Sequence, residues 1–366
     1  MDFYTGTQPD ELRKSPKGII AGTLAVLLLL GAAGFTARVV KDFTPIESEF
    51  SAAESTVVPL ISEPEPTSEP DDIYITETIQ NTLLRRGSMI LVNNAYGYEE
   101  FEEDLVSVYE NKNEFYYVSS IDLLMRKDAV EAMNEMMVAF HDETGLKNVQ
   151  IVSGYRTKEH QQELYKADEG EEGAKTVAKP GHSEHQTGLA CDFNLFFGDY
   201  SDDFDGTGDY TWFAENCAEF GFILRYPEDK IETTEIAYEP WHFRYVGEPH
   251  ASEMTSRGLC LEEYIELLSA YTYDGEHLEI TGLDGQKYEI YTFPADILSD
   301  TTTVPVPADQ GYTIHGNNID RYIVTVAIGT SPTTTTLPAE TTTESTETTT
   351  TEPEETTTDE DTENEE

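Results

Sequence analysis

An uncharged stretch near the N-terminus limits most strongly how this chain can fold. It runs from Gly18 to Phe35, and three basic residues precede it: Arg13, Lys14 and Lys17. About 18 apolar residues reach the lower limit for a helix that spans a bilayer. Basic residues before such a helix and an acidic chain after it favour an N-terminus inside the cell and a remainder outside.

We therefore expect a cytoplasmic N-terminus at 1–17 and an uncleaved transmembrane signal-anchor at 18–36. A cleaved signal peptide is the alternative, because the small residues Gly31, Ala32 and Ala33 offer a weak cleavage site. Both interpretations export the protein. In the first it is a single-pass protein of the cell membrane with an extracellular domain, and in the second it is secreted.

Two low-complexity segments flank the region that can form a core. Residues 37–72 are acidic and rich in Pro and Ser, which is typical of an extended stalk. Residues 331–366 contain 16 Thr and 12 acidic residues, which predicts a disordered tail. The formal net charge of −50 excludes a nucleic-acid-binding protein, because the chain would repel a phosphate backbone.

Helical and strand patterns alternate irregularly between these segments. Met133, Met137 and Phe140 recur at helical spacing before Gly145, which predicts one long amphipathic helix. The segments NVQIVSGYRT, LACDFNLFF and IAYEPWHFRYVG read as short strands. This pattern predicts an α+β domain at 73–268, with a small, mostly antiparallel sheet and flanking helices.

The pattern changes after residue 268. Residues 269–330 read as short strands broken by Gly, Asp and Asn. We therefore expect a small all-β appendage to follow the α+β domain.

Four ionisable residues have the spacing of a catalytic metal site. His185 and Asp192 lie seven residues apart in SEHQTGLACD, and Glu239 and His242 lie three apart in EPWH. Two imidazoles and a carboxylate with an open fourth position are a common ligand set for catalytic zinc. An ionisable carboxylate such as Asp192 within an apolar strand must be paired or metal-bound. Glu239 lies at the entrance of its strand, near enough to His242 to reach a water at the metal.

Each of these residues also has a plain structural interpretation. A single His in a chain with eight is more often a hydrogen-bonded surface or core residue. Asp192 by itself can cap a turn or form a salt bridge. His182 is the nearest competitor of His185 as a ligand. Arg225 and Arg244 read as structural ion pairs rather than substrate contacts.

Four segments in order, SGYRT, PGHSEHQTGLACDF, GFILRYP and EPWHFRYVG, resemble the VanY-type zinc D-alanyl-D-alanine carboxypeptidases of bacterial cell walls. The resemblance covers roughly residues 85–265 and rests on S-x-H-x-x-G-x-A-x-D combined with E-x-W-H. It implies that His185, Asp192 and His242 ligate one Zn²⁺ and that Glu239 is the catalytic base.

The resemblance also implies a substrate site. Arg156 would hold the substrate and polarise the scissile carbonyl, and Ser153, Tyr155 and Gln161 fall on family positions that line the pocket. Cys191 stands where a branched aliphatic residue is usual, a change that a small core residue tolerates.

The implied function is that of a zinc metallo-carboxypeptidase, which removes the terminal D-Ala from peptidoglycan stem peptides outside the cell membrane. Its partner is then a stem peptide that ends in D-Ala-D-Ala. An L,D-carboxypeptidase that acts on tetrapeptide stems uses the same core motifs and stays an open alternative. A non-catalytic cell-wall-binding protein on the same fold is the alternative from another class, and the intact ligands and base argue against it.

Overall fold

The structure, a computed structural model, describes residues 74–101, 104–168 and 177–331. The segments that we predicted at 1–72 lie outside these residues, as does all but the first residue of the predicted tail at 331–366. In the described ranges, no helix combines the length and the apolar character needed to cross a membrane.

The described residues contain fourteen strands and seven α-helices. The strands are β1 (Tyr74–Gln80), β2 (Leu105–Ser107), β3 (Tyr117–Val118), β4 (Leu124–Arg126), β5 (Val149–Ser153), β6 (Ala190–Phe196), β7 (Ser201–Asp203), β8 (Phe222–Leu224), β9 (His242–Tyr245), β10 (Leu278–Thr281), β11 (Lys287–Pro294), β12 (Thr301–Pro307), β13 (Gly311–Gly316) and β14 (Arg321–Ala327). The α-helices are α1 (Val108–Asn111), α2 (Lys127–Thr144), α3 (Lys158–Asp168), α4 (Thr211–Asn216), α5 (Ile231–Thr234), α6 (His250–Arg257) and α7 (Leu261–Leu268).

A six-stranded sheet forms the centre of the α+β domain. Its order is β3-β5-β6-β9-β8, and β7 pairs with β6. Only β3 and β5 run parallel, and every other neighbouring pair in this sheet is antiparallel. A separate two-stranded ladder joins β2 to β4. The expected α+β class with a mostly antiparallel sheet is confirmed.

Helix α2 covers one face of this sheet with its Met and Phe stripe. Met133, Met137 and Phe140 are fully buried in the same cluster as Phe193 of β6. Gly145 follows the helix in the left-handed region with φ of 74°, which a glycine adopts without a Cβ clash. The periodic apolar residues and this glycine therefore explain both the packing of α2 and the place where it ends.

Alternation along β6 separates the core from the opposite face. Cys191, Phe193 and Leu195 are buried in the core, and Asp192 is the partly exposed residue between the first two. Successive side chains of a strand point to opposite faces, so Asp192 faces away from the core. The carboxylate of Asp192 can therefore take part in a site on the other face of the sheet.

The β appendage contains a four-stranded antiparallel sheet in the order β10-β11-β14-β13. A second ladder pairs β12 with β1, so that Tyr74 lies opposite Pro307. An apolar cluster also continues from α6 and α7 into the appendage, where Met254 and Leu261 pack with Ile290 and Ile323. The appendage thus includes one strand from the N-terminal side, and its apolar core contains residues from both sides of position 268.

Candidate metal centre and active site

Three neighbouring strands bring the predicted site residues to one edge of the central sheet. Asp192 lies opposite Ser153 of β5 and opposite His242 of β9. His185 precedes β6, in a 3₁₀ turn at Glu184–Thr187. Antiparallel pairing therefore joins residues that are 50 positions apart in the chain.

His185, Asp192 and His242 converge on one point. Nε2 of His185 lies 3.2 Å from Oδ2 of Asp192, and Nδ1 of His242 lies 2.9 Å from Oδ1 of the same carboxylate. One potential ligand atom from each residue lies within 4.8 Å of the others. The three side chains predicted to hold a metal are thus the ones that the fold brings together.

The hydrogen bonds of the two imidazoles fit a metal centre. Nδ1 of His185 lies 2.8 Å from the carbonyl oxygen of Gly154. That oxygen can only accept, so Nδ1 carries the proton and Nε2 presents its lone pair to Asp192. His242 is turned the other way, with Nδ1 toward Asp192 and a buried Nε2 that has no hydrogen-bond partner among the described residues. Two nitrogen donors and one carboxylate form a chemically suitable set for zinc.

The electrostatics keep Asp192 ionised. Burial by itself would raise the pKa of Asp192, but His185 and His242 hold it well below its ordinary value. Burial would lower the pKa of His242, yet the neighbouring carboxylates of Asp192 and Glu184 raise that pKa to about 9. A cation that binds here therefore finds a negative carboxylate and displaces a proton from His242.

Glu239 lies beside the metal ligands at the entrance of β9. Its backbone N–H donates to the carbonyl of Tyr226, and its Oε2 lies 3.7 Å from Nδ1 of His242. Burial raises the pKa of Glu239 to about 7, although the neighbouring His242 works in the opposite direction. A carboxyl with such a pKa can both accept and donate a proton near neutral pH.

Two of the predicted pocket residues hold Arg156 beside the metal ligands, where its Nη2 lies 3.9 Å from Oδ2 of Asp192. Its Nη2 donates to Oγ of Ser153 and its Nη1 donates to Oε1 of Gln161, each over 2.8 Å. Gln161 is buried and donates in turn to the carbonyl of Ala178. Burial lowers the pKa of Arg156, but Asp192 and Glu239 oppose this effect, and the guanidinium stays charged.

Ser153 and Tyr155 are not among the described residues that line the cavity. Oγ of Ser153 accepts from Arg156 and lies 3.3 Å from Nδ1 of His185. Burial raises the pKa of the Tyr155 phenol, and the neighbouring Glu100 and Glu159 raise it further. The assignment of Tyr155 to the substrate pocket stays a prediction. His182 lies outside the group of potential metal ligands among the described residues. Its Nδ1 donates to the carbonyl of Asn93 over 2.7 Å.

The cavity has a volume of about 470 Å³ and combines a charged floor with apolar walls. Its lining residues are Arg156, Gln161, Leu164, Val177, Ala178, Ser183, Glu184, His185, Asp192, Tyr226, Ile236, Glu239, Trp241 and His242. Convergent polar and charged groups beside apolar residues such as Leu164 and Ile236 are typical of a site for a small ligand or the end of a peptide.

Sequence reasoning did not single out Glu184 or the apolar wall residues. Glu184 is fully buried between Arg225 and Arg244, which confirms that these arginines form structural ion pairs. Their attraction outweighs burial and holds the pKa of Glu184 well below its ordinary value. The sequence signal for Glu184 is an acidic residue in a segment that the fold buries, because a buried carboxylate requires a positive partner.

Comparisons with known proteins agree with this geometry. A family model described as VanY, D-alanyl-D-alanine carboxypeptidase, matches residues 122–248. A D-alanyl-D-alanine carboxypeptidase of Enterococcus faecium is 35% identical over 261 residues, which cover 70% of this chain and 80% of that protein. The bifunctional D-Ala-D-Ala dipeptidase and carboxypeptidase VanXYC of Enterococcus gallinarum is 44% identical over 135 residues, which cover 34% of this chain and 71% of the relative.

One solved structure covers the same share of the chain. It is the vancomycin resistance D,D-dipeptidase VanXYg in complex with a D-Ala-D-Ala phosphinate analogue. It is 32% identical, has a TM-score of 0.61, and covers 70% of this chain and 99% of its own.

Proposed function

We propose that this chain, which belongs to the VanY family of D-alanyl-D-alanine carboxypeptidases, removes the terminal D-alanine from peptidoglycan stem peptides. The observation that carries the proposal is the convergence of His185, Asp192 and His242 on one point, with Glu239 and Arg156 in the same cavity. A complete set of ligands, base and cation is what hydrolysis needs, and a purely wall-binding protein would not need it.

Zinc is the cofactor that suits this ligand set. His185 and His242 supply nitrogen donors, and Asp192 supplies a carboxylate that stays ionised. The bound ion supplies Lewis-acid chemistry, because it increases the acidity of a water molecule and polarises a carbonyl group. One ion per chain follows from the single cluster of such ligands among the described residues.

Arg156 recognises the negatively charged end of the substrate. It is the one Arg or Lys among the described residues that line the cavity. A guanidinium binds a carboxylate or a developing oxyanion through several N–H donors, and Arg156 uses only two of its five on Ser153 and Gln161. The apolar walls at Leu164 and Ile236 offer surface for the methyl groups of alanine.

Glu239 moves the proton during the reaction. It accepts a proton from the attacking water and later donates it to the amine of the departing D-alanine. A carbon–oxygen bond forms as the carbon–nitrogen bond breaks, so the products are free D-alanine and a peptide shortened by one residue. A pKa of about 7 suits Glu239 to both transfers.

The test follows a synthetic L-Ala-D-Glu-L-Lys-D-Ala-D-Ala pentapeptide by mass spectrometry, with the full chain in detergent. Loss of one alanine that a chelator abolishes and zinc restores would support the proposal. Cleavage of the tetrapeptide alone would assign the enzyme to the L,D-carboxypeptidases. No cleavage of either peptide by folded, zinc-loaded protein would favour the non-catalytic alternative.

We also place the catalytic domain outside the cell, held at the cell membrane by the segment 18–36. The support is the uncharged stretch with basic residues before it and the acidic stalk at 37–72. Protease added to intact cells should degrade the domain and leave residues 1–17 protected. A soluble protein that starts just after Ala33 would instead establish signal-peptide cleavage.

A further inference from the structure

Two buried atoms that face each other near the metal centre have no hydrogen-bond partner in the part of the chain that the structure describes. They are Oε2 of Glu184 and Nε2 of His242, and they lie 3.6 Å apart. One is an acceptor and the other is a nitrogen that can carry a proton. A slight closing of this distance would satisfy both atoms with a single hydrogen bond.

From this contact we infer that Glu184 is a positioning residue for His242. It accepts a hydrogen bond from Nε2 and so keeps Nδ1, the other ring nitrogen, turned toward the metal. The inference rests on the proposed function, since it gives Glu184 a role in holding the zinc ligand. Partners that orient a ligating imidazole commonly matter about 10- to 100-fold in metal affinity.

Glu184 can do this because its own place is fixed from the other side. Oε1 accepts from Nε of Arg225 over 2.8 Å and from Nη1 of Arg244 over 2.7 Å. Both guanidiniums are completely buried, so neither can move toward solvent. The carboxylate therefore has one oxygen occupied by two cations and the other directed at His242.

The two arginines are anchored in turn by distant parts of the chain. Arg225 donates from Nη1 and Nη2 to both carboxylate oxygens of Glu262 in α7, over 2.9 and 2.7 Å. Arg244 donates from Nη2 to the carbonyls of Ser88 and Ile90, over 3.0 and 2.9 Å. Two acids and two arginines balance each other in charge, so the cluster is neutral as well as rigid.

The position of Asp192 explains why His242 needs a hydrogen-bond acceptor at Nε2. Its Oδ1 lies 2.9 Å from Nδ1 of His242 and attracts a proton to that nitrogen, which then could not bind a metal. An acceptor at Nε2 favours the opposite arrangement, with the proton on Nε2 and the lone pair on Nδ1. Glu184 supplies that acceptor, and no other hydrogen-bond partner of Nε2 is present among the described residues.

Replacing Glu184 by Gln tests the inference. The Gln oxygen can still accept from Arg225 and Arg244, but its NH₂ group then faces Nε2 of His242. A donor there favours the ring with its proton on Nδ1. We expect Glu184→Gln to weaken Zn²⁺ binding by about 10- to 100-fold, measured by competition with a chelator.

Glu262→Gln is the matched control. It removes the same charge from Arg225, but its other hydrogen-bond partner is Asn93, away from His242. We expect both variants to lower the melting temperature and only Glu184→Gln to lower the affinity for zinc. Equal losses of affinity, or none in Glu184→Gln, would overturn the inference.

A measurement on the unmodified protein decides the matter if Glu184→Gln does not fold. In the zinc-loaded chain, the ¹⁵N shifts of His242 should show a metal-bound Nδ1 and a protonated Nε2. A protonated Nδ1 with a metal-bound Nε2 would refute the role of Glu184. Neither experiment uses peptide cleavage, so a protein with this ring arrangement and no peptidase activity would contradict the proposed function alone.

Discussion

Replacing His250 would measure how much a buried neutral imidazole between α6 and the β appendage contributes to the pH dependence of stability. Nδ1 of His250 lies 3.0 Å from the hydroxyl of Tyr264, and Nε2 lies 3.0 Å from Oγ1 of Thr325 in β14. Burial lowers the pKa of His250 from 6.5 to about 3, with a further contribution from His315. The imidazole is therefore neutral in the folded protein at any ordinary pH.

The sign of the pH effect follows from proton binding. Between pH 6.5 and about 3 the unfolded chain binds a proton at this residue that the folded protein does not bind. The stability due to neutral His250 is fully present above pH 6.5 and is lost as the pH falls. At pH 5, which is about 1.5 units below the unfolded pKa, the loss is about 2 kcal/mol.

Urea unfolding of the full chain at pH 7 and pH 5 provides the assay, with His250→Gln beside the unmodified protein. Gln can donate and accept hydrogen bonds but does not titrate, and all other groups titrate in both proteins. The fall in unfolding free energy from pH 7 to pH 5 should be smaller in His250→Gln by about 2 kcal/mol. His160→Gln, at an exposed residue of α3, should leave the fall unchanged. An equal fall in His250→Gln and the unmodified protein would refute the argument.

Three further predictions concern the site and its support. Glu239→Gln should lower kcat by about 10²- to 10⁴-fold at unchanged zinc content, because the proton acceptor is lost, and retained turnover in steady-state kinetics would remove Glu239 as the base. Arg156→Lys should lower kcat/KM by about 10- to 100-fold, since a single ammonium nitrogen lacks the planar fork that reaches Ser153 and Gln161 and still presents donors to a substrate carboxylate. An unchanged value would contradict that role. Phe193→Ala should destabilise the fold by about 3–5 kcal/mol in urea unfolding, because Phe193 stacks on Phe243 at 4.7 Å and meets Phe213 edge-on. A loss below about 1 kcal/mol would show that this aromatic cluster is not tightly packed.

Local patterns identified the elements that carry the site. The Met stripe and Gly145 define α2, because helical periodicity and a left-handed end both depend on residues close in the chain. The apolar alternation around Asp192 likewise indicates which face of β6 the carboxylate takes. Spacing alone left His182 as an alternative ligand, and only the folded arrangement places it outside the ligand group of the described residues.

Long-range pairing could not be derived in the same way. The ladder between β1 and β12 brings Tyr74 to Pro307, and no pattern in either segment names the other. Their alternating residues suit many partner strands equally well. The extent of the β appendage therefore depends on contacts that form only in the folded chain.

The sequence by itself predicted the fold class, which the structure confirms. Its resemblance to the VanY-type family also predicted the metal ligands His185, Asp192 and His242 and the base Glu239, because the motifs that carry the resemblance lie in short segments. The tertiary structure alone decided that Glu184 lies between Arg225 and Arg244 and points at His242. Glu184 comes from the turn before β6, Arg225 follows β8, and His242 and Arg244 share β9. Their geometry therefore exists only once the sheet has assembled. Burial makes these contacts necessary. A charged side chain removed from water must be balanced by the few groups that the fold places beside it.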